Sequence, residues 1–348
     1  MKRRSWIAAL LAGTMTLSLT ACGGSDTGAA DTTGADANAA ADTGAAAAQE
    51  GPYNVSMILK TGSAEFWKII QAGAEAYEKE HPDLVKLSIK GPPSETSYEE
   101  QLNMLETDLN NPEFDGYLIA PLQSEAVATM IANTDKPVIA FDTNIESDKC
   151  LSFVGTGNKE AAKQGAIAAV EQAKAAGWTE IKCIEIAGVQ GDATNTARME
   201  GYAEGIAECG GEFLSDETQY ANATADLAVT CMEAIMSKHP EGIAIICSNN
   251  DDMALAAART ARESGNKAYE NTVFLGFDGQ QSACEAILNG ELTMSAAQNN
   301  FDIGYKAVET MVKTLQGETP DAFVDTGTEI VTKDNAQDRI DRFKSYLG

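Results

Sequence analysis

Two aspartates in matching places raise the first chemical question. Asp142 ends the run Pro137-Val-Ile-Ala-Phe-Asp142, and Asp278 ends Thr272-Val-Phe-Leu-Gly-Phe-Asp278. A carboxylate at the end of an apolar strand can accept two neighbouring hydroxyls at once. The other reading is a turn or helix-cap aspartate, which Gly279 favours for Asp278. Arg198 is a cation that could balance buried carboxylates, which an apolar cleft would otherwise penalise. Elsewhere it would be a surface ion pair. Phe66 and Trp67 are adjacent rings at the mouth of a predicted helix, and an aromatic face suits an apolar C–H surface of a ligand. Phe66 also fits that helix's apolar stripe, where it would be core. Asn250 and Gln298 each offer donors and an acceptor, and Asn250 also suits the N-cap of a helix starting at Asp251. Asn158 is similar, while Lys60 at the end of the first strand and Tyr220 after a strand of the second half are candidates by position. Together these groups suit the binding of a hydroxyl-rich molecule.

Catalytic chemistry finds little support. The chain has two histidines, and His81 and His239 each precede a proline where a helix gives way to a strand. In a parallel α/β sheet that junction lies opposite the ligand crevice. Six cysteines follow Cys22 (Cys150, Cys183, Cys209, Cys231, Cys247 and Cys284) with no CxxC pair or Cys/His cluster, so no metal site is expected. Cys183 and Cys247 lie in apolar runs and read as buried small hydrophobes. Unpaired thiols in an exported chain would point to a reducing habitat. No cofactor and no enzymatic activity are expected. The formal charge is −27, spread along the chain, which repels phosphate backbones and excludes nucleic acid as a partner.

The elements that must position these groups alternate. Strand-length apolar runs at Val55–Leu59, Leu84–Ile89, Gly116–Ala120 and Pro137–Phe141 are separated by helical patterns, the first from Ser63 (its predicted N-cap) to Glu80. After a long predicted helix, Lys159–Ala176, the rhythm restarts with strands at Ile181–Ile186, Glu212–Leu214, Gly242–Cys247 and Thr272–Phe277. Asp115–Pro121 echoes Gly242–Ser248, as the two Phe-Asp runs echo each other. This rhythm predicts an α/β fold of two similar lobes, each a parallel sheet flanked by helices.

The N-terminal segment reads differently. Lys2, Arg3 and Arg4 precede an uncharged stretch from Ile7 to Leu19 that closes on Leu19-Thr20-Ala21-Cys22. This resembles a bacterial lipoprotein signal, with 1–21 removed and Cys22 acylated. Residues 23–50 hold no Leu, Ile, Val or aromatic and cannot offset their ordering entropy by burial, so 22–52 reads as a lipidated cysteine and tether. The lipid would be the sole membrane contact, holding the protein at the cell surface or the periplasmic side of the cytoplasmic membrane.

From Tyr53 to about Lys333 the chain resembles the type I periplasmic binding proteins of the ribose, galactose and xylose class. The resemblance rests on Glu65-Phe66-Trp67, Ala120-Pro121, Pro137–Asp142, Ala197-Arg198-Met-Glu-Gly201, Asn249–Leu255, Gly276-Phe277-Asp278-Gly279, and Gln298 ahead of Phe301-Asp302-Ile303-Gly304, all in order. It implies two flavodoxin-like lobes joined by a three-strand hinge, with crossovers near Thr156, Gln298 and Thr326. The N-terminal lobe would be 53–156 plus 299–326, and the C-terminal lobe 157–298 plus 327–348. It further implies a monomer that binds a sugar or polyol between the lobes, with Phe66 and Trp67 as its stacking pair and Arg198 as its sugar-binding arginine, closes about the hinge, and docks on an ABC permease. The same fold also serves as a ligand-sensing domain for a membrane receptor or kinase, or as a binder of a nucleoside or furanose signal molecule. Ala64 stands where ribose-type members carry asparagine, and Thr143 where an arginine is common. An aromatic is missing near Ala223 unless Tyr220 replaces it, and these departures point away from ribose itself. Gly91–Glu95, with Tyr98 and Gln101, is predicted to line the cleft rim.

Overall fold

The computed structural model describes residues 51–347. The signal segment, Cys22 and most of the tether, all expectations from sequence, lie outside the described residues. Among those described, no helix is long and apolar enough to cross a membrane.

The first sheet is built from β1 (Tyr53–Ile58), β2 (Val85–Lys90), β3 (Gly116–Ile119), β4 (Val138–Phe141) and β5 (Cys150–Gly155). Between them run α1 (Glu65–Glu80), α2 (Tyr98–Leu109) and α3 (Ser124–Ile131). The second lobe follows with α4 (Asn158–Ala175), β6 (Lys182–Ala187), α5 (Ala193–Glu208), β7 (Glu212–Phe213), β8 (Gln219–Tyr220) and α6 (Ala225–Lys238). It continues through β9 (Ile245–Ser248), α7 (Asp251–Glu263), β10 (Val273–Asp278), α8 (Gln281–Leu288) and β11 (Met294–Gln298). The chain then returns to the first lobe for α9 (Asn300–Leu315) and β12 (Phe323–Asp325), and ends in the second with β13 (Thr328–Val331) and α10 (Ala336–Leu347). Strand order is β12-β5-β4-β3-β1-β2 in one sheet and β13-β11-β10-β9-β6-β7 in the other, with β8 also paired to β6. Every pairing is parallel except β11 with β13.

The sequence dictates this layering. β3, β4, β9 and β10 are buried along their whole length, as continuous apolar runs must be when helices cover both faces of a sheet. In the first lobe α1 and α9 pack backbone to backbone, because a Cβ at Gly73 would run into the Phe301 carbonyl and one at Gly304 into that of Ile70. Glycine permits that approach. The three crossings between lobes are tied together: Thr326 Oγ1 donates to the Gly155 carbonyl at 3.0 Å and Asn299 Nδ2 to that of Thr326 at 2.6 Å.

Two local expectations need correction. Ser63 does not cap α1, which starts after Ala64 without a side-chain cap; the Ser63 hydroxyl instead donates to the Pro93 carbonyl at 3.2 Å. The strand before it is followed by a turn that leans on the 91–95 loop, which draws the hydroxyl away from the helix. Gln101 does not line a rim. It is buried, donates to the carbonyls of Leu59 and Ala120, and accepts from the Leu122 amide, so it braces three chain segments.

His81 and His239 sit at the C-terminal ends of α1 and α6. His239 pairs with Glu217 at 2.6 Å. All six described cysteines are free thiols, and Cys183 and Cys247 are buried on neighbouring strands with sulfurs 3.3 Å apart.

Candidate functional site

The site grows from the carboxyl ends of the strands. Asp142 follows β4 and Asp278 ends β10, and both adopt positive φ, at 60° and 110°. Non-glycine residues avoid that region at a cost of roughly 1–3 kcal/mol, so both carboxylates are held by what surrounds them. The Asp142 amide donates to the Val154 carbonyl at 3.0 Å. The turn at Asp278 is gripped from below by Arg339 of α10, whose guanidinium donates to the carbonyls of Asp278, Gly279 and Gln298.

Arg198 extends from α5 and is nearly fully buried. Its Nε donates to Asn158 Oδ1 at 2.9 Å and its Nη1 to the Asn249 carbonyl at 2.5 Å. The guanidinium lies 3.7 Å from the centre of the Phe277 ring and 3.6 Å from Asp278 Oδ1. Gln298 Nε2 donates to that same carboxylate oxygen at 2.8 Å. Burial pushes the Asp278 carboxyl well above the usual range, although Arg198 opposes it.

Across the cleft, Lys60 follows β1 and forms an ion pair with Asp192 of the other lobe. Asp192 also caps α5 by accepting from the Asn195 amide at 2.9 Å. Lys60 stands 3.9 Å from Asp142. Burial alone would lower the lysine, yet Asp192, Asp142 and Glu95 together raise it. Trp67 donates its indole N–H to Glu95 at 3.0 Å and meets Phe66 edge to face, with ring centres 5.2 Å apart. Two further bonds join the lobes, one between the hydroxyls of Thr143 and Thr194 at 2.7 Å and one from the Gln281 amide to Glu65 at 2.6 Å.

These groups enclose a cavity of about 40 Å³ between the lobes. Such a space is far below the few hundred Å³ of an ordinary ligand pocket, so this arrangement of the lobes is a narrow one for a solute of sugar size. Lys60, Phe66, Trp67, Asp142, Arg198, Asn250 and Asp278 line it. Asn250 also caps α7, accepting from the Met253 amide at 2.9 Å. Gln298 and Asn158 stand one layer back, orienting Asp278 and Arg198. Tyr220 lies outside the lining and is 40 % exposed; β8 pairs with the end of β6 and turns its ring to solvent, so no aromatic of the second lobe accompanies Ala223 in the lining.

Sequence reasoning did not single out Asp192, Thr194, Asn195 or Asn249, which also line the cavity. Asp192 carries an N-cap signal three residues before Asn195, and Asn249 adjoins Asn250. Arg339 gave no signal, because its role arises only when α10 folds under the Asp278 turn. Beneath Asn249, Glu185 is fully buried, and burial pushes its carboxyl up to about 8, with Asn249 and Arg198 offsetting part of the effect. Among the described residues no cluster of three or more His, Cys, Asp or Glu could hold a metal ion.

Two α/β lobes that grip one polar cavity across three crossings define a two-lobed solute-binding protein. Residues 55–319 match the periplasmic binding protein domain. The chain belongs to that family, whose members are solute-binding proteins rather than enzymes, and it has the type I fold. It is 26 % identical over 291 residues to the D-ribose/D-allose-binding protein of Pseudomonas aeruginosa, covering 80 % of this chain and 88 % of that protein. It is 28 % identical over 284 residues to the ribose import binding protein of Salmonella typhimurium, covering 80 % and 90 %. Among solved structures, an ABC transporter solute-binding protein from Agrobacterium vitis with bound D-fucose superposes with a TM-score of 0.73 at 25 % identity, covering 81 % of this chain and 96 % of that one. One from Mycobacterium smegmatis with bound glycerol gives 0.73 at 25 %, covering 83 % and 97 %.

Proposed function

We propose that this protein captures a sugar or sugar-like polyol between its lobes, outside the cytoplasm, and delivers it to an ABC importer. It does so as a monomer held at the membrane by an acylated Cys22. The observation that carries the reading is the cavity wall itself: paired rings and Asp142 from one lobe oppose Arg198, Asn250 and Asp278 from the other. Solute contacts made to both lobes select the closed arrangement, because they are lost when the lobes part. The names of the relatives, with ribose, allose and D-fucose among their solutes, support the sugar class. The basic, apolar and Leu19-Thr20-Ala21-Cys22 segments support the anchor.

A thermal-shift panel of pentoses, hexoses, polyols and nucleosides tests this. A solute at a thousand times its Kd stabilises by about 4 kcal/mol, which raises Tm by roughly 10 °C for lobes of this size. Asp142→Asn and Asp278→Asn each abolish that shift. A panel without any shift, or a shift that survives both substitutions, refutes the proposal.

A further inference from the structure

The cavity is short of positive charge. Four carboxylates line it, from Glu95, Asp142, Asp192 and Asp278, against two cations, Lys60 and Arg198. Arg198 is committed to Asp278, Asn158 and the Asn249 carbonyl. That leaves one ammonium, Lys60, for three carboxylates: it pairs closely with Asp192 and only loosely with Asp142, and it makes no ion pair with Glu95. Asp142 is only 3 % exposed. Its Oδ2 accepts from the Thr143 hydroxyl at 2.8 Å, its Oδ1 accepts nothing, and Lys60 stands back at 3.9 Å. Glu95 takes the Trp67 indole N–H on one oxygen and nothing on the other.

A neutral hydroxyl can donate to these open oxygens but leaves the excess negative charge in place. Buried charge is tolerated when it is paired. We infer that the solute brings its own cation: an amino sugar or amino-polyol, with a protonated nitrogen seated between Glu95 and Asp142 and hydroxyls on Arg198 and Asp278. Burial holds the carboxyls of Glu95 and Asp142 above their ordinary range, and the Lys60 charge offsets only part of the effect. The inference rests on the sugar-binding reading and names the solute class within it.

The test is calorimetry at pH 7 on the purified chain with matched triplets: D-glucose, D-glucosamine and N-acetyl-D-glucosamine, the corresponding galactose and mannose series, and D-glucitol with D-glucamine. In at least one series the amine binds tenfold or more tightly than the neutral parent and the acetamide. In Glu95→Gln that ratio falls to threefold or less. A neutral parent that binds as tightly as the amine in every series overturns the inference while leaving sugar binding intact, since the carboxyls are then protonated. So does an amine preference unchanged in Glu95→Gln. If no member of any series binds, the inference is overturned, and the thermal-shift panel, which adds pentoses and nucleosides, decides the sugar reading separately.

Discussion

Replacing Arg198 with methionine keeps most of the side-chain volume but removes the guanidinium that Asp278 relies on. The arginine is 4 % exposed and the aspartate 5 %, so neither charge has water to fall back on. Removing one partner of a buried pair costs about 3–5 kcal/mol, because the other is left uncompensated. Loss of the stacked contact with Phe277 adds to this. For a lobe of this size, a loss of about 3 kcal/mol lowers Tm by roughly 10 °C. Asp278→Asn is milder, since Arg198 keeps Asn158, the Asn249 carbonyl and the ring. The double variant therefore loses less than the two single losses together, with a coupling of about 2 kcal/mol. Urea unfolding followed by circular dichroism reads all three. A loss below about 1 kcal/mol in Arg198→Met, or additivity within about 0.5 kcal/mol, refutes the pairing argument.

Stability also depends on pH through Glu185. Its folded carboxyl titrates at about 8 against an ordinary 4.5, so its stabilising effect is complete below pH 4.5 and fades as pH rises toward 8, by about 1.4 kcal/mol per pH unit. Asp251, pushed up to about 7 by burial, acts in the same direction. Melting temperature therefore falls between pH 5 and pH 8, less steeply in Glu185→Gln; equal slopes would count against it. Gly304→Ala forces a Cβ into the Ile70 carbonyl and lowers the unfolding free energy by about 1–3 kcal/mol. An unchanged urea midpoint would contradict the close approach of α1 and α9.

How much of this was legible in the sequence depends on how local the cause is. β3, β4, β9 and β10 could be read because strands buried on both faces are unbroken apolar runs, and the two Phe-Asp ends gave the echo between lobes. The cap by Asn250 was equally local. The short strands β12 and β13 were not legible: Phe323 is 44 % exposed, and neither strand carries an apolar run. The glycines that let α1 meet α9 look like any others until the two helices are brought together. Lys60 with Asp192 needed the docking of lobes whose residues lie 132 positions apart. Tyr220 misled because a position after a strand says nothing about which way a side chain turns when the strand has only two residues.

The return of α9 and β12 to the first lobe bears on how the chain can be made. Until residue 325 has been synthesised, β5 is an open sheet edge and the apolar face of α1 around Ile70 has no cover. Unpaired edges of this kind invite association with other chains. The half of the protein made first is thus the half finished late, and a nascent chain cut short before residue 300 carries a sticky, incomplete lobe for which no amount of time compensates.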